Sequence, residues 1–187
     1  MSIDVVCVIG AGTMGHGIAQ VAAMAGCTVR LHDVSADAVA SGLSKVAQNL
    51  EKGVARGKVE TAVAEQTLAR LSGTTDPAEA AADADLIIEA VPELIALKRR
   101  IFATFAAIAK PGALFASNTS SIPLAQILDV VPDPSRFCGM HFFNPVHIQP
   151  LLEIVAAEQT SDAVIDDVVA FAKRLGKQAI VVKDSPG

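Results

Sequence analysis

Apolar residues along the chain fall into short unbroken runs, which alternate with stretches where they recur every three or four positions. Val5-Val6-Cys7-Val8-Ile9 is such a run, and it stops on Gly10. A run without a polar face, closed by glycine, predicts a strand buried on both sides. Met14, Ile18, Val21 and Ala25 follow at helical spacing, and residues 28–32 predict the next strand. Val39, Leu43, Val46 and Leu50 form one stripe of a helix over 35–50, which Gly53 and Gly57 break; a second helix is predicted over 59–71. Together they make a helical hairpin where a minimal strand–helix–strand unit has one crossover helix.

Residues 72–75 predict a short strand. Asp76 is placed to cap a helix, with Pro77 in its first turn and Glu79 as the capping-box partner. Strands are predicted over 86–91, 113–116, 137–141, 151–156 and 178–182, and helices over 94–108, 122–128 and 163–175. The alternation predicts an α/β fold: a doubly wound Rossmann-type sheet with an inserted helical hairpin after the second strand, residues 1–187 forming one domain. Residues 183–187 read as an exit loop, and a chain stopping on Ser-Pro-Gly reads as a piece of a longer protein cut at a domain boundary.

The turn after the first strand carries candidate chemistry. In Gly10-Ala11-Gly12-Thr13-Met14-Gly15, Gly10 permits a sharp turn, Gly12 lets the backbone approach a pyrophosphate, and Gly15 lets the helix pack against the strand. The helix N-terminus then faces the anion. Asp33, at the end of the second predicted strand, is placed to accept from ribose hydroxyls. Val34-Ser35-Ala36 supplies no cation for a 2′-phosphate, so NAD is expected rather than NADP.

Composition narrows the classes. Half the chain is apolar (51%), the net charge is −5, and no basic run is present, which argues against a nucleic-acid surface. No apolar run reaches the ~18–20 residues of a membrane span, and the first strand begins too early to leave room for a signal peptide. Cys7, Cys27 and Cys138 lack metal-ligand spacing, so no metal site is expected, and reduced thiols in a cytoplasmic protein are.

A second constellation lies later in the chain. His141 closes one predicted strand, and Glu153 is the lone carboxylate in another. Paired, they would orient the imidazole for proton transfer, although spacing alone leaves a structural histidine open. The polar run Ser117-Asn118-Thr119-Ser120-Ser121 follows a strand end, where open parallel sheets bind ligands.

The glycine turn, Asn118-Thr119-Ser120-Ser121, His141-Phe142-Phe143-Asn144-Pro145 and Lys183-Asp184-Ser185-Pro186-Gly187, in that order, closely resemble the NAD-binding domain of the L-3-hydroxyacyl-coenzyme A dehydrogenase family. The resemblance implies NAD-dependent, reversible oxidation of an (S)-3-hydroxyacyl-CoA to the 3-ketoacyl thioester. It implies His141 as the catalytic base, Glu153 as its partner, Ser120 at the substrate oxygen and Asn144 beside the cofactor. Ala90, Glu93 and Lys98 match positions along the NAD groove, Lys98 also lying near coenzyme A. Asn49, Lys52 and Arg56 are candidate coenzyme A contacts. A helical substrate and dimerisation domain would begin just after Gly187, carrying a further Asn at the substrate oxygen that this chain lacks.

Val146-His147-Ile148-Gln149-Pro150 departs from the family's usual Pro, Met and Lys there. His147 is expected close enough to His141 to be a candidate substrate contact, His16 at the surface or groove edge, and His32 facing away from Asp33. The alternatives are a dehydrogenase of a small hydroxy acid such as gulonate or carnitine, or a NAD-binding module without activity. Phe142-Phe143 favours the thioester.

Overall fold

The computed structural model describes residues 2–185. Its eight strands are β1 (Val5–Ile9), β2 (Thr28–His32), β3 (Leu71–Thr74), β4 (Leu86–Glu89), β5 (Leu114–Ser117), β6 (Phe137–Phe142), β7 (Leu151–Ala156) and β8 (Gln178–Lys183). They form one sheet in the order β3-β2-β1-β4-β5-β6-β7-β8. All neighbours are parallel except β6 and β7, which pair antiparallel. The winding reverses between β1 and β4, so the two loops leaving their carboxyl ends diverge and open a crevice.

Both faces of the central strands are covered, which is why those strands read as unbroken apolar runs, whereas the edge strand β8 stays largely exposed. Alternate residues serve different cores. Val6, Val8, Leu86, Ile88, Cys138 and Met140 pack with α1 (Gly15–Met24) and α6 (Asp162–Arg174). Cys7, Ile9, Ile87, Phe115 and Phe137 face the other way, against α4 (Pro77–Ala81) and α5 (Ile95–Ala106). Cys7, Cys27 and Cys138 are free and buried, and burial pushes the Cys7 and Cys138 thiols up to about 12. No helix among the described residues is long and apolar enough to cross a membrane.

The hairpin after β2 is α2 (Ala36–Ala55) and α3 (Thr61–Ala69), and its first break lies later than expected. Gly53 sits inside α2, because a Cβ there would stand 2.7 Å from Val59 Cγ2 where the arms meet. Gly57, at φ +64°, ends the helix. Its N–H donates to Val54 O, and that of Lys58 to Gly53 O, satisfying the last carbonyls. The sequence also over-extends the second arm, since Leu71 already belongs to β3.

Two further expectations are corrected. Residues 122–128 form no α-helix but successive 3-10 turns, Leu124–Gln126 and Leu128–Val130. Asp76 caps α4 by accepting from Ala78 N, but Glu79 does not return to the Asp76 N–H. That N–H donates to Thr74 Oγ1, whose hydroxyl donates to Glu79. Of the predicted exit loop, Pro186 and Gly187 lie outside the described residues.

Candidate active site in the crevice

The glycine turn is the tightest part of the crevice. Gly10 has φ +97°, and a Cβ on it would meet Ala90 O at 2.7 Å. One on Gly15 would fall 1.7 Å from Gly10 O, so only glycine lets α1 start against the turn. Gly12 differs: nothing lies within 4 Å of the position its Cβ would take. The N–H groups of Gly12, Thr13 and Met14 meet no protein acceptor among the described residues, at the positive end of α1. Those donors and the open space fit a dinucleotide pyrophosphate. Asp33 Oδ2 accepts from Ala11 N at 2.9 Å and Oδ1 from Ser35 N at 3.2 Å, which fixes the carboxylate while leaving lone pairs for a ribose.

Across the crevice, β6 and β7 set His141 directly opposite Glu153. The imidazole Nδ1 lies 2.7 Å from Glu153 Oε2, and the side chains are 19% and 31% exposed. Nδ1 beside a carboxylate carries the proton, so Nε2 is the free acceptor of the neutral ring. The Phe143 ring lies 4.4 Å from the imidazole, centroid to centroid. Met14, Ala90, Glu93, Ser120, His141 and Asn144 share one cavity of about 340 Å³ with Val91, Asn118, Phe142 and Phe143. Met14 of the glycine turn, the serine loop and His141 therefore meet in one space, with Glu153 behind the imidazole, and the Asn144–Pro145 peptide at its wall is cis.

Lys98 sits elsewhere than expected. It is fully buried, so it cannot reach coenzyme A, and it shares its ammonium between two carboxylates. Its Nζ donates to Glu89 Oε1 at 2.7 Å and Oε2 at 2.9 Å, and stands 3.0 Å from Glu93 Oε2. Glu89 also accepts from Val91 N and Ser117 Oγ, each at 2.7 Å. Glu93 Oε1 accepts from the Thr119 hydroxyl and from the N–H groups of Ser120 and Ser121 at 3.0 and 3.3 Å. Burial raises the Glu93 carboxyl, but the bonds from Thr119 and Lys98 outweigh it and hold the group below the ordinary carboxylate range. Glu93 thus faces the cavity and ties the serine loop to the β4–α5 turn.

A second cavity, of about 280 Å³, opens between the helical hairpin and the loop after β6. It collects Asn49, Lys52 and Arg56 and adds Lys58, Gln20 and His147. Asn49 donates to Gln20 Oε1 at 3.1 Å. His147 therefore lines the hairpin cavity rather than the one holding His141. Burial, then His16 and Lys177, hold its imidazole below the usual histidine value. His16 borders the glycine turn, Nδ1 2.7 Å from Gly12 O. His32 is buried, stacked edge-on against Phe105, and bonds Thr74 O.

Asn118 was not singled out from sequence, yet its Oδ1 accepts from Phe142 N at 2.8 Å and its side chain helps line the His141 cavity. The polar run after β5 pointed to the loop but not to the member that reaches β6.

The family model described as 3-hydroxyacyl-CoA dehydrogenase, NAD binding domain, matches residues 5–185. The chain belongs to that family. As its NAD-binding domain, it is 40% identical over 187 residues to a probable 3-hydroxybutyryl-CoA dehydrogenase of Bacillus subtilis, covering 100% of this chain and 65% of that protein. It is 41% identical over 182 residues to a fatty acid oxidation complex subunit alpha of Idiomarina loihiensis, covering 96% of this chain and 25% of that protein. Its fold superposes on the crystal structure of (S)-3-hydroxybutyryl-CoA dehydrogenase from Ralstonia eutropha with a TM-score of 0.96 and 41% identity, over 100% of this chain and 65% of the other. The chain thus spans between a quarter and about two thirds of these relatives.

Proposed function

We propose that the protein containing this chain oxidises (S)-3-hydroxyacyl-CoA thioesters reversibly to 3-ketoacyl-CoA, with NAD as cofactor. The observation that carries the reading is His141, 2.7 Å from Glu153 behind it, on the wall of the cavity that Met14 of the glycine turn also lines. NAD supplies a hydride acceptor for C3 of the substrate. His141 Nε2 takes the hydroxyl proton as that carbon is oxidised, and returns it in the reverse direction. Glu153 holds the ring in the Nδ1–H tautomer and stabilises the imidazolium that forms. Ser120 donates to the substrate oxygen, and Asn144 and Ala90 border the cofactor. Gly10 to Gly15 and Asp33 hold the pyrophosphate and ribose, while Glu93, backed by Lys98, sets the groove wall.

The hairpin cavity supports a thioester over a small free acid. Lys52, Arg56 and Lys58 gather there, as the phosphates of coenzyme A require, and Asn49 offers a neutral contact. The same reading expects a longer form of the protein to dimerise through a helical domain that closes the cleft. Three buried free thiols accord with a reducing cytoplasm.

The test is turnover of 3-hydroxybutyryl-CoA by the full-length protein, followed as NADH, with free gulonate and carnitine in parallel. His141→Gln should cut kcat by roughly 10²–10⁴-fold, the usual worth of a general base, with NAD affinity by calorimetry unchanged. Near-normal turnover by the variant, or preference for a free acid, overturns the proposal.

A further inference from the structure

The loop that carries Ser120 leaves β5 and returns over the sheet into the first 3-10 turn, and carboxylates from three separate elements hold it. Glu89 at the end of β4 takes the Ser117 hydroxyl, and Glu93 before α5 takes Thr119, Ser120 and Ser121. The third comes from the other end of the chain. Asp184, just past β8, accepts from Leu124 N through Oδ1 at 3.0 Å and from Ala125 N through Oδ2 at 3.1 Å. Both its oxygens are thereby spent on two backbone donors at the start of a turn, where helical geometry supplies no internal acceptor.

Asp184 is itself firmly placed. Its N–H donates to Ala156 O at 3.0 Å, continuing the ladder in which Lys183 pairs with Ala156. β7, which fixes it, also carries Glu153. Below the loop, Leu124 approaches the sheet where β6 has Gly139, a position at which a Cβ would stand 2.7 Å from Val155 Cβ and 3.5 Å from Leu124 Cδ1. Ser120, Leu124, Val155 and Asp184 border one small space of about 40 Å³. The turn thus rests on β6 and β7 and is held in place by the carboxylate just past β8.

We infer that Asp184 is a positioning residue for the oxidation: by fixing Leu124 and Ala125 it sets the serine loop so that Ser120 faces His141 across the cavity. The inference rests on the reading of Ser120 as the donor to the substrate oxygen. It gives the Lys183-Asp184-Ser185 segment a part in the chemistry, although no atom of that segment lines the His141 cavity. Glu93 holds the near end of the loop and Asp184 the far end, so removing Asp184 frees only the far end. Catalysis should therefore suffer while the fold and the NAD groove persist.

The test is a double-mutant cycle in the full-length enzyme, with Asp184→Ala, Ser120→Ala and both together, measured by kcat and KM for 3-hydroxybutyryl-CoA and by calorimetric NAD affinity. Asp184→Ala should lower kcat by about 10–100-fold, the scale of a small misplacement at a reacting centre, and leave NAD affinity within about twofold. In the Ser120→Ala background the same substitution should cost less than about threefold, because the group it positions is gone. Asp184→Asn keeps the shape and one acceptor oxygen, and should show an intermediate loss even if the alanine variant fails to fold. Full multiplication of the two single losses, or unchanged kcat in Asp184→Asn, overturns the inference while leaving the activity itself standing. A wild-type enzyme without thioester turnover, or a Ser120→Ala variant with full activity, overturns the reading beneath it instead.

Discussion

At the level of single residues, the glycines of the turn separate two demands that sequence reading merges. Gly15 is required by the fold: its missing Cβ would overlap Gly10 O, and Gly15→Ala should cost about 3 kcal/mol or more in urea unfolding, the upper range for overpacking. Gly12 is open on the protein side, so Gly12→Ala should change stability by less than about 0.5 kcal/mol, as surface substitutions do. The same change should weaken NAD binding about tenfold or more, roughly 1.4 kcal/mol, measured by calorimetry. Equal effects of the two changes on stability would contradict this division. The His141–Glu153 contact was legible because period-two side chains on paired strands can meet once the register is right. The register itself was not legible, since it depends on the residues joining β6 to β7. Lys98, placed by the resemblance near coenzyme A, is instead enclosed by Glu89 and Glu93, two carboxylates whose convergence on it only tertiary structure brings about.

Among elements, the buried charges at the β4–α5 turn are the most consequential. Glu89 and Lys98 are both fully buried, so removing one partner strands the other. Lys98→Met should destabilise the chain by about 3–5 kcal/mol, whereas Glu89→Gln with Lys98→Met should recover a large part of that loss. Urea midpoints at constant m would show it; a double variant as unstable as the single one would contradict it. The hairpin shows where periodicity misleads. Gly53 and Gly57 look alike in sequence, but Gly53 makes room for Val59 of the connecting turn and Gly57 turns the chain. The serine loop shows where sequence is nearly silent, because its anchors, Glu89, Glu93 and Asp184, are scattered along the chain and nothing local marks their convergence.

For the whole molecule, the strand–helix alternation carried most of the fold, since central strands buried on both faces leave little freedom in which residues turn inward. The carboxyl-edge crevice follows from that topology, and the site follows from which loops it brings together. The fold also predicts a response to acid. Burial, chiefly, holds the His32 imidazole below its usual value, against the opposing pull of Thr74 O, Asp33 and Asp76. As pH falls through about 6.5 the unfolded chain binds a proton there that the folded chain does not, so stability declines until the folded value is also passed. His147 is lowered too and contributes with the same sign. His32→Gln should therefore reduce, without abolishing, the drop in urea midpoint between about pH 7.5 and about pH 5.5. An unchanged slope would contradict it.

A crystal structure of the full-length protein with NAD and a 3-hydroxyacyl-CoA would decide whether the crevice works as proposed. His141 Nε2 should lie within about 3 Å of the oxygen on C3, with the nicotinamide on the opposite side of that carbon and Glu153 still on Nδ1. A substrate whose hydroxyl lies out of reach of His141, or a nicotinamide outside the crevice between β1 and β4, would contradict it.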